Sequence, residues 1–113
     1  MSIKKITRHS IPDEALAFAL TELRKISGGE IIFVAQDGFL MQVEINQRRR
    51  LADWSEEIPP LGKEIFSALV KQIRQEFSKL DYGRLVIKIQ KGRVVQIERT
   101  IQQRFTGLDG EGI

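Results

Sequence analysis

Apolar residues recur at three- and four-residue steps along residues 14–26 and again along 61–80, and each stretch leads into a run of alternating apolar and polar positions. In the first stretch Leu16, Ala19, Leu20, Leu23 and Ile26 form one stripe, which predicts an amphipathic helix. Ser10, Pro12 and Asp13 supply a start signal, and Gly28 with Gly29 is expected to stop that helix. In the second stretch Leu61, Ile65, Leu69, Ile73, Phe77 and Leu80 make the stripe, widened by Phe66 and Val70. Pro59 and Pro60 precede it and Gly83 follows it.

The alternating runs read "IIFVAQDGFLMQVEI" and "LVIKIQKGRVVQIER". Each breaks at a glycine, Gly38 or Gly92, placed third in a three-residue loop, so each predicts a β-hairpin. That loop would set Ala35 opposite Phe39, Phe33 opposite Met41 and Ile31 opposite Val43. In the second hairpin it would set Ile87 opposite Val95 and Leu85 opposite Ile97. One face of each hairpin is then strongly apolar and suited to packing under a helix. The other face would carry Ile32, Val34, Leu40, Gln42 and Glu44 in the first hairpin, and Val86, Lys88, Val94, Gln96 and Glu98 in the second.

The two halves align without a gap when the chain is shifted by 54 positions, Glu22 falling on Glu76. Lys25/Lys79, Gly29/Gly83, Gln36/Gln90, Gly38/Gly92, Gln42/Gln96, Glu44/Glu98 and Arg50/Arg104 also coincide, and the apolar positions between them correspond. The expected fold is therefore α+β: two tandem helix–hairpin (αββ) repeats forming one four-stranded antiparallel sheet with both helices on one face. A half-sized ancestor would have reached the same arrangement as a homodimer. The expected boundaries are 10–51 for the first unit, 52–60 for a linker, 61–106 for the second unit and 107–113 for a flexible tail. Trp54 in the linker is expected as a buried anchor.

Composition narrows the chemistry. The 113-residue chain has 42% apolar and 29% charged residues, which suits a single globular domain. No apolar run approaches bilayer length, and MSIKKITRHS lacks the hydrophobic core of a signal peptide, so a cytoplasmic protein without a membrane partner is expected. The absence of cysteine excludes disulfide-linked partners, thiol catalysis and thiolate metal sites. The single histidine, His9, is expected as a solvated residue in a frayed N-terminal segment. No cofactor or metal is expected.

"LDYGRLVIKIQKGRVVQIERTIQQRF", through Tyr82, Gly83, Gly92, Gln96, Glu98, Thr100, Arg104 and Phe105, resembles the YezD-like family of small bacterial proteins of unknown function. The resemblance covers residues 65–106 and, more weakly, 14–51, where Gly28 stands in place of the tyrosine and Asn46 in place of the threonine. It implies a bacterial cytoplasmic protein, and it brings no catalytic residues.

Three functions compete. The mixed sheet face, with Ile32, Val34, Leu40, Gln42, Val86, Val94 and Gln96, suits an oligomerising or partner-binding module that joins the chain to itself or to another protein. This is the favoured expectation. The alternative is a regulatory nucleic-acid-binding protein. Its basic surface would comprise Arg48, Arg49, Arg50, Arg84, Lys88, Lys91 and Arg93, set against the bland reading of a solvated charged strand. An enzyme would need Glu44 and Glu98 brought together across a pseudo-twofold axis, and no nucleophile–base set or phosphate loop accompanies them. Val34, Asp37 and Phe39 in the first hairpin become Lys88, Lys91 and Arg93 in the second. Specific function is therefore expected on the second hairpin or across the seam between the two.

Overall fold

The computed structural model describes residues 7–48 and 62–103. The elements run α1 (Asp13–Leu23), β1 (Gly28–Gln36), β2 (Phe39–Arg48), α2 (Lys63–Phe77), β3 (Gly83–Gln90) and β4 (Arg93–Ile101). All pairings are antiparallel, and the four-stranded sheet has the order β2-β1-β3-β4. The chain is α+β, with β1 and β3 forming the central seam. The linker, Trp54, Arg49, Arg50, Arg104, Phe105 and the tail lie outside the described residues.

The core sits between the helices and one sheet face. Leu16, Ala19, Leu23 and Ile26 from the first half and Leu69, Ile73, Phe77 and Leu80 from the second close over Ile31, Phe33, Ala35, Leu85, Ile87 and Ile89 in one buried cluster. Both helices therefore cover the same face. Each fully enclosed side chain, such as Phe33, Phe77, Ile26, Leu80 or Leu85, contributes about 1.5–3 kcal/mol relative to exposure. The stripe of α2 is narrower than its spacing suggests, since Ile65 is exposed and the half-buried Phe66 carries the Arg24 guanidinium 4.7 Å from its ring centre. At the opposite helix ends Arg74 bridges to Asp13 at 3.1 Å.

The hairpins differ from the expected register. Asp37 and Gly38, at φ +53° and +80°, form a two-residue turn of the primed type, as do Lys91 and Gly92 at +52° and +74°. One residue then bulges from each outer strand. Val34 pairs with Gln42 but Ala35 pairs with Leu40, leaving Met41 extra. Lys88 pairs with Gln96 but Ile89 pairs with Val94, leaving Val95 extra. Ile31 thus faces Ile45 and Phe33 faces Val43, while Ile87 faces Ile97 and Leu85 faces Arg99. Beyond each bulge the strand's alternation is inverted. Leu40 and Val94, expected on the open face, pack against the core instead.

Gly28 and Gly29 do not stop α1, which ends at Leu23; both lie in β1. Gly29 at φ +143° and Gly83 at φ +151° occupy equivalent places where the outer strand crosses closest, against the carbonyls of Asn46 and Thr100.

The halves are also tied end to end. The Gly38 amide donates to the Asp81 carbonyl at 2.8 Å, and the Gly92 amide donates to the Ser27 carbonyl at 2.9 Å. The 54-residue shift superimposes one latch on the other. Among the described residues only the first is reinforced: the His9 amide donates to the Gly38 carbonyl, the His9 imidazole lies 2.6 Å from Asp81, and Arg8 pairs with Asp37 at 3.2 Å. His9 is thus a docked residue of a clasp, in contrast to the solvated one expected.

Candidate interaction face

No described helix packs on the second face of the sheet. Period-two alternation assigns it Gly28, Glu30, Ile32 and Val34 from β1 and Arg84, Val86, Lys88 and Gln90 from β3. Ile32 and Val86 stand directly opposite each other at its centre. The 54-residue shift converts one into the other, and the two pair with each other across the β1–β3 seam.

Reading across the strands, the central row is Glu44–Ile32–Val86–Glu98. On one side lies Asn46–Glu30–Lys88–Gln96, and on the other Gln42–Val34–Arg84–Thr100. Ile32 is 8% exposed, while Val34 and Val86 are half-buried. The result is a narrow aliphatic strip crossed by ordered polar groups.

Two ion pairs organise those groups. Arg48 donates to Glu30 at 3.1 Å and Asn46 donates to its other oxygen at 3.3 Å. The hydrogen bond from Arg48 is the main cause of a Glu30 carboxyl held below the usual glutamate range. Partial burial opposes that effect, while Asn46 and the charges of Arg48 and Lys88 add to it. Lys88 pairs with Glu98 at 2.9 Å.

Of the residues expected on this face, Ile32, Val34, Gln42, Val86 and Gln96 lie there, and Leu40 and Val94 do not. Glu30, Asn46 and Thr100 belong to it and were not anticipated. The alternation Glu30, Ile32, Val34 within β1 carried the signal for Glu30, which reading Gly29 as a helix stop obscured.

The basic candidates are divided. Arg48 and Lys88 are neutralised by Glu30 and Glu98. Arg99 turns toward the helix layer and donates to Glu76 at 2.7 Å. Arg84, Lys91 and Arg93 have no ion pair among the described residues. Glu44 and Glu98 occupy opposite edge strands with β1 and β3 between them, roughly 14 Å apart at ordinary strand spacing. That separation is too wide for a shared proton or ion. Among the described residues no cluster of three or more potential ligands could hold a metal ion, and no helix is long and apolar enough to cross a membrane.

Residues 69–105, most of the second helix and hairpin, match the family described as "Uncharacterized small protein (DUF2292)". Comparison of the chain with curated proteins and with solved structures gives no match.

Proposed function

We propose that the chain is a non-catalytic binding module whose open sheet face receives another protein surface. The observation that carries this reading is the Ile32–Val34–Val86 strip at the centre of a face no described helix covers, bordered by the amides of Gln42, Asn46 and Gln96. Such a mixture of central aliphatics and a hydrogen-bonding rim suits a non-obligate protein contact.

The two αββ units are read as a fused duplicate of a half-sized, YezD-like cytoplasmic protein. Support comes from the single-unit extent of the family match, the paired latches at Gly38 and Gly92, the paired bulges at Met41 and Val95, and the pairing of Ile32 with Val86 across the seam. Fusion keeps the β1–β3 seam permanently formed and frees the two halves to differ on the open face.

A second reading, nucleic-acid binding, draws on Arg84, Lys91 and Arg93, whose charges no described acid neutralises. One comparison separates the two. A protein that co-purifies with the chain should be lost with Val34→Asp plus Val86→Asp and retained with Phe18→Ser, which alters an exposed helix residue. Retention on a nucleic-acid column that falls steeply with salt and with Arg84→Glu plus Arg93→Glu would favour the second reading. Loss of the co-purifying protein in the Phe18→Ser variant alone would move the site to the helix layer.

A further inference from the structure

The open face is self-complementary in charge, and this identifies a partner. Among the described residues its β1–β2 half carries Glu30, Glu44 and Arg48, a net of one negative charge. Its β3–β4 half carries, among the described residues, Arg84, Lys88 and Arg93 against Glu98, a net of two positive charges. At positions related by the 54-residue shift, Val34 corresponds to Lys88 and Glu30 to Arg84, and these differences account for the polarity.

We propose that the face docks against the same face of a second copy of the chain, about a twofold axis lying between the two sheets and parallel to the strands. The proposal rests on the open face being the binding surface. This axis lays the acidic half of each copy over the basic half of the other. It sets Ile32 over the partner's Val86, Glu30 over the partner's Lys88 and Val34 along the aliphatic stem of the partner's Arg84. Rotation by the angle of about 30° common to aligned sheets leaves those halves matched. A twofold axis perpendicular to the strands would instead stack acidic half on acidic half and basic on basic. Charge pattern therefore selects the orientation, as complementary potentials do at other interfaces.

The small size of the face points to weak association. Strands of eight residues at about 3.3 Å, four abreast at about 4.8 Å, span about 500 Å², so two faces together bury about 1,000 Å². That lies at the small end for specific complexes, and the central strip is short, so the dimer is a weak one with Kd on the order of 10–100 μM.

Sedimentation of the full chain over about 1–500 μM, a range spanning that Kd, tests the proposal. The mass should rise from one chain toward two, and high salt should weaken the association. Glu30→Lys with Glu44→Lys makes both halves basic, and Arg84→Glu with Arg93→Glu makes both acidic. Each variant alone should associate at least about tenfold more weakly, and an equimolar mixture of the two should recover dimer. Circular dichroism confirms that each variant is folded. A wild-type chain that stays monomeric across the range overturns the proposal. So does a mixture that associates no better than its components. If the wild type is monomeric yet its co-purifying protein is lost with Val34→Asp plus Val86→Asp, self-docking is wrong and the binding-face reading stands; if neither is seen, both fall.

Discussion

Replacing Gly29 by alanine tests the closest approach within the sheet. A Cβ built there would overlap the Asn46 carbonyl, with the carbonyl carbon at 2.9 Å and its oxygen nearer still, and the obstacle is strand backbone. The backbone at φ +143° adds its own cost of about 1–3 kcal/mol for a residue with a side chain. Relief requires β2 to move away from β1, straining the pairing of Gly29 with Gln47 and Glu30 with Asn46 at about 1 kcal/mol per lost hydrogen bond. Reduced freedom of the unfolded chain returns about 0.4–1 kcal/mol. The net expectation is a loss of about 2–4 kcal/mol, a large fraction of the stability of a domain this size. Gly83→Ala should cost the same, since a Cβ there meets the Thr100 carbonyl carbon at 3.0 Å with φ +151°. Gly62→Ala, with nothing within 4 Å of the new carbon, should stay within about 1 kcal/mol of wild type. Urea unfolding at constant m-value reads all three. Gly29 and Gly83 variants as stable as the Gly62 variant would refute the close crossing.

Three further outcomes follow from particular contacts. The Glu30 carboxyl is held low by Arg48, so its stabilising contribution is present at neutral pH and is lost as pH falls through its lowered titration range. The stability gap between wild type and Glu30→Gln should accordingly close in acid, and a gap independent of pH would contradict the pairing. Phe77→Ala, at a fully buried site, should cost about 3–5 kcal/mol, while Phe18→Ala, at 51% exposure, should cost less than about 1 kcal/mol in the same denaturation assay. His9→Ala should speed hydrogen exchange at the Gly38 amide and leave the Gly92 amide unchanged, because His9 clasps the first latch.

Much of this architecture was legible in local pattern. The helix stripes follow from spacing: Leu16, Ala19, Leu23 and Ile26 are buried where periodicity placed them, and Leu20 is half-buried against the same core. The hairpin turns follow from Gly38 and Gly92. What local pattern could not reveal depends on backbone from elsewhere in the chain. A bulge leaves no mark in composition, because Met41 and Val95 are as apolar as their neighbours, yet it carries Leu40 and Val94 to the other side of the sheet. The role of Gly29 and Gly83 depends on an outer strand many residues later. His9 looked solvated because Asp81, 72 residues away, is what holds it. The paired charges of Lys88 and Glu98 likewise lower the basic character that a linear count assigned to the second hairpin. The central aliphatics Ile32, Val34 and Val86 were placed correctly because they precede the bulges and obey simple alternation.

The most direct test of the open face as the binding surface is the methyl NMR spectrum of the full chain, followed as its own concentration, or that of a co-purifying protein, is raised. The methyl signals of Ile32, Val34 and Val86 should shift together along one saturating curve, while those of Leu69, Val70 and Ile65 on α2 remain in place. Shifts confined to the α2 methyls, with the three sheet residues unmoved, would contradict the account.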